Sequence, residues 1–550
     1  MKSAKSGEIL DVAIVGAGVS GVYSGWRMLR DGHAPSAGGG RPKITVFEGS
    51  ERIGGRLLSL TPPGMPNTRC ELGGMRYMSR HVLVSWLVQS FGLPTQPMPV
   101  GDPANIAYLR GQQLRLSDLN TPDTLPYHFR SVEKRVVENP AGGLLMFALQ
   151  QIVPNCLTIT YDQLLEEMQT ATFGGAPLHE QGFWNVMARI LSPDAYWFVR
   201  DTGGYDCLVS NWSAADAIPF ILADFGQGVS YSRFPNGYAE LPQRLAQDFE
   251  AAGGRLQLNA WLLSFDTGDL PDASSGVVLK FADGSTVYAR NLVLAMPRRS
   301  LELLEPTGAV LDPKHDDVRA LIESVEPIPL FKIFLCYEYP WWKCVGVSTG
   351  RSITDLPIRQ CYYWGVEPKS PIMDGNSCLL ASYDDDLSVT FWAGLREKTA
   401  RTKLWEPRLS FAGEQKGSDD WSRHRAPHAM VEEAHRQVVQ MHGLSYAPAP
   451  YDAAYRDWVE DPYGGGVNFW RIHAKSWEVI PAIVKPRAGV PVYICGEAYS
   501  HEQGWVEGAL QTAEIMLQKH FKLAPPPPMQ SASTKAEGQR PSPRAKSTKK

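Results

Sequence analysis

A glycine turn near the start of the chain has the spacing of a nucleotide-binding loop. The apolar run 11–15 leads into this turn, and a second apolar run ends on Glu48. A strand, G-x-G-x-x-G, a helix and a strand closed by an acid form the dinucleotide-binding βαβ unit, in which glycines admit a pyrophosphate and the acid accepts from ribose hydroxyls. We therefore predict a nucleotide site here, rather than a chance glycine-rich turn. Its residues are Gly16, Gly18, Val19, Ser20, Gly21, Glu48 and Gly49.

A second glycine pair follows closely. Gly54-Gly55 would let the chain pass near another face of the cofactor, and Arg56 offers fixed donors to a phosphate. These residues favour a long cofactor that is held permanently.

The segment 71–77 reads Glu-Leu-Gly-Gly-Met-Arg-Tyr and contains a candidate substrate-binding residue, Arg76. A guanidinium presents a planar fork that binds a carboxylate through two parallel hydrogen bonds. Such a group suits the α-carboxylate of an amino acid and serves no purpose for a simple amine. The alternative is an arginine that faces the surface or a phosphate.

A strand, a glycine and an acid recur near the end of the chain, at Gly496-Glu497. The segment 508–517 has helical spacing, so Val506 lies where a helix begins. Unpaired N–H groups and the positive end of the helix dipole favour an anion at that point. The alternative is an ordinary strand-turn-helix with a solvated Glu497.

Together these motifs resemble the flavin-dependent amine oxidase family, and more closely its L-amino acid oxidase branch. The resemblance runs in separate blocks from residue 11 to about residue 520; it fails in residues 36–42, in much of 100–230 and in the tail. It implies an FAD cofactor, with the Glu497 side chain at the ribityl or phosphate region and Val506 at the pyrimidine edge of the flavin. The other positions implied are Gly73, Gly74 and Met75 against the isoalloxazine ring and Leu262 beside the adenine.

The resemblance also implies residues that act on the substrate and on oxygen. The segment 354–363 resembles a D-L-P-x-R-x-x-Y-Y block whose second tyrosine, here Tyr363, gives the carboxylate another donor, so Tyr362 should face the opposite way. Lys332 is a charge inside an apolar strand and is costly to bury unless satisfied. In the family this lysine lies near flavin N5 through a water. The alternative is an edge-strand lysine that reaches solvent.

Two tryptophans resemble the aromatic walls beside the flavin. They are Trp458 and Trp505, and the carbonyl of Gly504 is a plausible acceptor for the substrate amine. Such walls exclude water and position a neutral amine. Because the chain has 16 tryptophans, simple core packing is the alternative for both.

The activity that follows from this resemblance is oxidative deamination. Hydride transfer from the α-carbon of an L-amino acid to flavin N5 would lead to a 2-oxo acid and ammonia, with hydrogen peroxide formed from O₂. Two other enzymes stay open: an amino acid 2-monooxygenase that forms an amide, and a monoamine or polyamine oxidase. A flavin-holding scaffold without activity is the alternative from another class.

The composition agrees with a large globular enzyme. A chain of 550 residues exceeds the roughly 250–300 residues of a single core, so we expect several domains. A net charge of −4 does not favour nucleic acid as a partner. We expect a cytoplasmic protein, since no apolar run approaches the roughly 18–20 residues of a membrane span and the opening lacks a signal-peptide core. The eight cysteines form no ligand cluster, so we expect buried thiols and no metal site. Family habit suggests a homodimer.

The elements that must position these residues form an α/β (α+β) fold. We predict a two-dinucleotide-binding-domain (Rossmann-like) FAD fold with a mixed-sheet substrate domain and a helical insert. The predicted parts are FAD-binding 8–77, 232–300 and 486–523, substrate-binding 78–125 and 301–485, and a helical insert 126–231. The tail 524–550 is rich in Pro, Ser and Lys, with six basic residues against one acid, and we expect it to be disordered. A basic tail could contact a membrane or nucleic acid; a solubilising extension is the alternative.

Overall fold

The computed structural model describes residues 8–31, 40–139, 143–226, 228–396, 403–411 and 420–530. The strands, in chain order, are β1 (Ile9–Leu10), β2 (Val12–Val15), β3 (Ile44–Phe47), β4 (Ser59–Leu60), β5 (Cys70–Glu71), β6 (Tyr77–Met78), β7 (Gln96–Pro97), β8 (Ile106–Leu109), β9 (Gln112–Arg115), β10 (Thr172–Phe173), β11 (Ala176–Pro177), β12 (Tyr231–Arg233), β13 (Arg255–Gln257), β14 (Leu262–Asp269), β15 (Ser275–Phe281), β16 (Thr286–Ala289), β17 (Leu292–Leu294), β18 (Val325–Ile328), β19 (Leu330–Tyr337), β20 (Arg351–Thr354), β21 (Gln360–Ser370), β22 (Met373–Asp385), β23 (Asp452–Asp457), β24 (Val467–Trp470) and β25 (Val492–Ile494).

The helices vary widely in length. They are α1 (Val19–Arg30), α2 (Val82–Phe91), α3 (Ser131–Val137), α4 (Gly143–Ile152), α5 (Tyr161–Met168), α6 (Phe183–Ile190), α7 (Pro193–Gly203), α8 (Ala214–Phe225), α9 (Glu240–Ala251), α10 (Arg298–Glu302), α11 (Gly308–Leu311), α12 (Asp316–Ile322), α13 (Val389–Ala393), α14 (His428–Met441), α15 (Ser476–Ile483) and α16 (Val506–His520).

A parallel sheet assembled from three distant parts of the chain carries the nucleotide motifs. Its strand order is β13-β3-β2-β17-β25, and every neighbouring pair is parallel. The buried strands β2, β3, β17 and β25 are continuous apolar runs, as expected when helices cover both faces of a sheet. Helices α1, α9 and α16 share one buried cluster with β2 and β3. The carboxyl ends of β2, β17 and β25 therefore meet at one edge of the sheet, where cofactors bind in such folds.

A second, seven-stranded sheet carries Lys332 and the tyrosine pair Tyr362-Tyr363. Its order is β23-β19-β22-β21-β20-β8-β9, antiparallel except for the β20–β8 pair. In this sheet Lys332 of β19 lies opposite Tyr383 of β22. A four-stranded sheet, β1-β16-β15-β14, packs against the parallel sheet through a shared apolar cluster. Its strand β14 begins at Leu262.

The poorly matched middle of the chain is largely helical. Helices α3 to α8 pack into one apolar cluster that includes Leu149, Phe183 and Ile218. Together with the two sheets, this arrangement confirms the predicted fold class; the exact part boundaries stay predictions. Within the described ranges, no helix combines the length and apolar character needed to cross a membrane. The predicted disorder of the tail concerns residues that, from 531 on, lie outside the described part of the chain.

Candidate active site

The first glycine turn forms one wall of a large cavity. Gly16 follows β2 with a φ of 106°, and a Cβ there would clash with the carbonyl oxygen of Ala295. Helix α1 begins just beyond the turn, and its N-cap, Gly18, has no side chain to occupy the first-turn N–H groups. These groups are therefore available to an anion such as a pyrophosphate. Gly16, Gly18, Val19 and Ser20 line the cavity.

Gly21 has a packing role behind this wall. A Cβ on Gly21 would clash with the carbonyl oxygen of Gly16. This matches the third glycine of the fingerprint, which allows close packing of helix against strand rather than contact with the ligand.

Glu48 directly follows β3, and its side chain contacts the glycine turn. Its Oε2 accepts a hydrogen bond from the Ala17 N–H at 2.7 Å. Gly49, Trp261 and Leu262 line the same part of the cavity, and a Cβ on Gly49 would lie 2.8 Å from the indole of Trp261. This part of the cavity combines an acceptor for hydroxyl groups with an aromatic surface.

Arg56 and Glu497 form an ion pair on the cavity wall. The Arg56 Nη2 lies 2.7 Å from the Glu497 Oε2. The Glu497 Oε1 also accepts from the Gly504 N–H at 2.6 Å, and the side chain is only 7% exposed. Glu497 is therefore not a solvated residue. It links Arg56, from the first part of the chain, to Gly504, from the last part.

The start of α16 faces the same cavity. Gly496, Trp505 and Val506 line it, and Trp505 is the N-cap of the helix without a side-chain cap. The one acid of the first turn, Glu507, instead accepts from two N–H groups at the start of α2, each at 3.0 Å. The first turn of α16 therefore keeps the N–H groups that favour negative charge.

Lys332 is buried behind the segment of Gly73, Gly74 and Met75, which lines the cavity. Its Nζ donates to the carbonyl oxygens of Gly73 at 2.6 Å and Glu71 at 3.2 Å. Only 4% of the residue is exposed, so it does not reach outward to bulk solvent. Burial lowers the pKa of Lys332 to about 7, with the nearby Glu71 carboxylate acting in the opposite direction. In the protonated form, two of its three N–H donors are held by the protein, and the third remains for a ligand or water.

Two tryptophans from different elements line the cavity. Trp458 is buried, and its indole N–H donates to the Leu72 carbonyl oxygen at 2.8 Å. Trp505 stands at the start of α16, with its ring 4.9 Å from the buried ring of His81 in an edge contact. Gly504, beside Trp505, also lines the cavity and has a φ of 79°. Both tryptophans are therefore fixed in place by neighbours rather than simply buried in the core.

Arg76 lies on the substrate side of the cavity. The guanidinium stacks on the ring of Tyr231, with its carbon 4.1 Å from the ring centroid, and its Nη1 donates to the Tyr362 hydroxyl at 3.3 Å. The residue is 7% exposed, and none of the described residues gives it a carboxylate within ion-pair distance. Burial acts to lower the pKa of Arg76, whereas Tyr205, Tyr362 and the more distant charge of Asp224 raise it. A buried guanidinium without a direct ion-pair partner favours an anionic ligand.

The prediction that Tyr363 lies beside Arg76 is wrong. The Tyr363 hydroxyl contacts Ser352 Oγ at 2.6 Å and His442 Nε2 at 3.0 Å, in a separate apolar cluster. Tyr362 faces Arg76 instead. The two tyrosines are consecutive in β21, so they must point to opposite faces, and the sequence alone gives no way to decide which face is which.

The substrate side also contains residues that the motifs did not indicate. They are Tyr205, Cys207, Phe220, Asp224, Phe225, Tyr383, Asp385 and Phe469. Most come from the helical insert, where the resemblance fails. Phe220 and Phe225 of the insert line the cavity, whereas Trp212 stacks behind it on Phe469, with ring centroids 4.1 Å apart.

The cavity residues fit FAD. Glycines at which a Cβ would clash, two helix starts without side-chain caps and an acid at the end of β3 are the features that a bound dinucleotide requires. Comparison with known proteins agrees with this fit. The family model described as flavin containing amine oxidoreductase matches residues 35–515.

Individual relatives cover nearly the whole chain. Aplysianin-A of Aplysia kurodai is 26% identical over 94% of this chain and 92% of its own length. The L-amino-acid oxidase of Siganus canaliculatus is 23% identical over 91% of this chain and 83% of its own. Cyclohexylamine oxidase from Brevibacterium oxydans IH-35A has a similar fold, with a TM-score of 0.60 and 18% identity over 97% of this chain and 100% of that one. Because the family match spans most of the sequence, the chain belongs to the flavin containing amine oxidoreductases, and its cofactor is FAD.

Proposed function

We propose that this flavoprotein is an L-amino acid oxidase. It converts an L-amino acid, O₂ and water into a 2-oxo acid, ammonia and hydrogen peroxide. The observation that carries the proposal is Arg76, a buried guanidinium on the cavity wall with no carboxylate partner among the described residues. A simple amine would leave this charge unpaired, whereas an amino acid supplies the missing carboxylate. The relatives that are named L-amino-acid oxidases support the same substrate class.

In this proposal Arg76 orients the substrate and Tyr362 orients Arg76. The guanidinium takes the carboxylate, and the Tyr362 hydroxyl, which accepts from Arg76 at 3.3 Å and donates to Gln360 Oε1 at 3.2 Å, holds the guanidinium in place. Fixing one end of the substrate turns a collision into an oriented step, because the Cα–H then has one direction in which to react.

Trp458 and Trp505 act on the amine. Their rings form apolar walls, and an apolar environment favours the neutral amine over its ammonium form. The Gly504 carbonyl is our candidate for the acceptor of the amine N–H. Hydride transfer requires the neutral amine, and these walls favour that form.

The remaining residues hold charge at the cofactor. FAD, when bound, accepts two electrons from the substrate and passes them to O₂. Glu48 and the start of α1 would hold its ribose and pyrophosphate, and the start of α16 would stabilise negative charge on its ring. Lys332, held by two carbonyl oxygens, would stabilise charge that develops on oxygen.

One experiment tests the proposal against its competitors. The purified protein should be yellow, release FAD on denaturation, and form hydrogen peroxide with L-amino acids but not with D-amino acids. The carbon product should be a 2-oxo acid. An amide product would identify a monooxygenase, turnover of amines alone would identify an amine oxidase, and absence of any turnover by the yellow protein would favour a scaffold.

We also propose that the protein acts in the cytoplasm as a homodimer. All eight cysteines are free thiols, seven of them buried and Cys344 exposed, which suits a reducing compartment. The dimer rests on family habit alone. Light scattering on the purified protein would test it, since a mass near 60.9 kDa would identify a monomer.

A further inference from the structure

Asp224 is a buried carboxylate on the substrate side of the cavity. It lies near the end of α8, lines the cavity and is 9% exposed. Its Oδ1 accepts a hydrogen bond from the Tyr231 hydroxyl at 2.7 Å. Its Oδ2 receives no hydrogen bond from any residue that the structure describes. The carboxylate therefore keeps an acceptor on the cavity wall that a donor of the substrate can use.

Only one side chain separates Asp224 from Arg76. The ring of Tyr231 that bonds Asp224 through its hydroxyl also supports the guanidinium of Arg76, 4.1 Å from its centroid. The cation that would bind the α-carboxylate therefore lies over the ring face of Tyr231, and the acidic group contacts the hydroxyl of the same tyrosine. The side chain of lysine or arginine is long enough to reach between them.

A second acidic group lies at this end, and burial raises its pKa to about 7. Asp385 is buried, lines the cavity, and accepts from the N–H groups of Asp206 at 2.7 Å and Cys207 at 2.9 Å. Burial, and then the charges of Asp385, Asp386 and Asp224, raise the pKa of the Cys207 thiol. Asp385 and Asp224 therefore both lie close enough to Cys207 to affect its pKa. The oxygens of Asp385, however, already accept from backbone N–H groups.

The lining between these charges is aromatic. Tyr205, Phe220 and Phe225 surround the space, and Tyr205 and Phe225 meet edge to face at 6.0 Å. Aromatic faces pack well against the methylene stem of a long side chain and attract a cation. A neutral apolar side chain would fit the rings but would offer no donor to the Asp224 carboxylate.

We propose that the substrate side chain is cationic: the enzyme oxidises L-amino acids of the lysine, ornithine and arginine type, and Asp224 binds their positive group. This inference rests on the proposed amino acid oxidase activity. It assigns a specificity-determining role to a residue of the helical insert.

The test compares lysine with norleucine, which has the same carbon chain without the ammonium group. In the wild-type enzyme, kcat/KM from hydrogen peroxide release should be about 30-fold or more higher for L-lysine than for L-norleucine. Asp224→Asn keeps an acceptor for Tyr231 and removes the charge, so this preference should largely disappear. The loss should lie mainly in KM, because the contact is the same in the bound substrate and in the transition state.

Asp216→Asn is the matched control. Asp216 lies on the same helix and accepts from Ser213 Oγ at 2.6 Å, so its substitution should leave the lysine preference unchanged. A wild-type enzyme that oxidises norleucine or phenylalanine as well as lysine would overturn the inference while the oxidase proposal stands. Equal loss of all substrates in Asp224→Asn would also overturn it and make Asp224 a support for Tyr231. If no amino acid is oxidised, the proposed function itself fails.

Discussion

Arg76 is the residue on which the substrate class depends. We expect Arg76→Ala to lower kcat/KM for amino acids by roughly 30-fold to several thousand-fold, because truncating one partner of a buried charge pair costs about 2–5 kcal/mol. Amines without a carboxylate should gain relative to amino acids in this variant. Steady-state kinetics with both classes gives the ratio, and the exposed Arg135→Ala serves as control. An unchanged ratio with flavin still bound would remove Arg76 from carboxylate binding and favour an amine oxidase.

The two consecutive tyrosines of β21 provide an internal comparison. Tyr362→Phe removes a hydroxyl 3.3 Å from Arg76, so kcat/KM for amino acids should fall about tenfold or more, as for a hydrogen bond to a charged group. Tyr363→Phe should leave kcat/KM unchanged and lower the free energy of unfolding by about 1 kcal/mol, since its hydroxyl contacts Ser352 and His442. The opposite outcome in kinetics would restore the original assignment of Tyr363.

Lys332 should act on the oxygen half-reaction. We expect Lys332→Met to slow reoxidation of the reduced flavin by O₂ much more than anaerobic reduction by substrate, because it removes a charge next to the reacting oxygen. Stopped-flow absorbance measures the two steps separately. Lys280→Met, an exposed lysine of β15, is the control. Equal slowing of both steps would make Lys332 a structural residue that only holds Gly73 and Glu71.

At this scale the sequence was most informative where a residue type is rare in its setting. A lysine inside an apolar strand and an arginine directly after two glycines could be singled out, and the structure brings both to the cavity. Asp224 could not be found in this way, because a single acid at the end of a helix is ordinary until its surroundings are known. The prediction for Tyr363 failed for a related reason. Adjacent residues of a strand point to opposite faces of the sheet, and the sequence does not show which face lies toward the cavity.

Among the elements, the turn between β2 and α1 has the strictest backbone requirement. Gly16 has a φ of 106°, and a Cβ would clash with the Ala295 carbonyl oxygen at the end of β17. Gly16→Ala should therefore push the turn out of place and weaken FAD binding by at least about tenfold. The flavin absorbance per mole of protein measures this. Gly101→Ala is the control, since its nearest neighbour would be 3.9 Å away. Full flavin content in Gly16→Ala would show that the turn tolerates a side chain.

The elements of the FAD part were predictable because short-range rules determine them. Continuous apolar runs bounded by glycine or acid predicted β2, β3 and β25, and α2 ends at a left-handed glycine, Gly92. The order of the parallel sheet and the pairing within the seven-stranded sheet follow from long-range packing, which local periodicity does not encode. The helices of the insert were recognisable, but not the faces that they turn toward the substrate.

At the scale of the whole molecule, we expect the last described elements and the tail beyond residue 530 to differ greatly in importance for FAD binding. A variant ending at residue 530 should retain full FAD content and the same kcat, because residues 531–550 contribute no motif to the predicted site. A variant ending at residue 490 lacks β25, Glu497 and α16, and should not bind FAD. Flavin content and turnover of the two proteins, measured side by side, test both statements. Loss of turnover in the longer variant would assign a functional role to the tail.

Three distant parts of the chain form one parallel sheet, and this arrangement has a consequence for biosynthesis. The glycine turn at Gly16 leaves the ribosome early, but Glu497 and the start of α16 follow only after roughly tens of seconds of translation, at about 5–20 residues per second. During that interval the nascent protein contains the first glycine turn of the cofactor site but not the residues that follow β25. FAD capture should therefore be a late, post-translational event, so riboflavin shortage would yield finished apoprotein rather than truncated product. Ribosome-stalled chains should acquire flavin fluorescence changes only when the stall lies beyond α16.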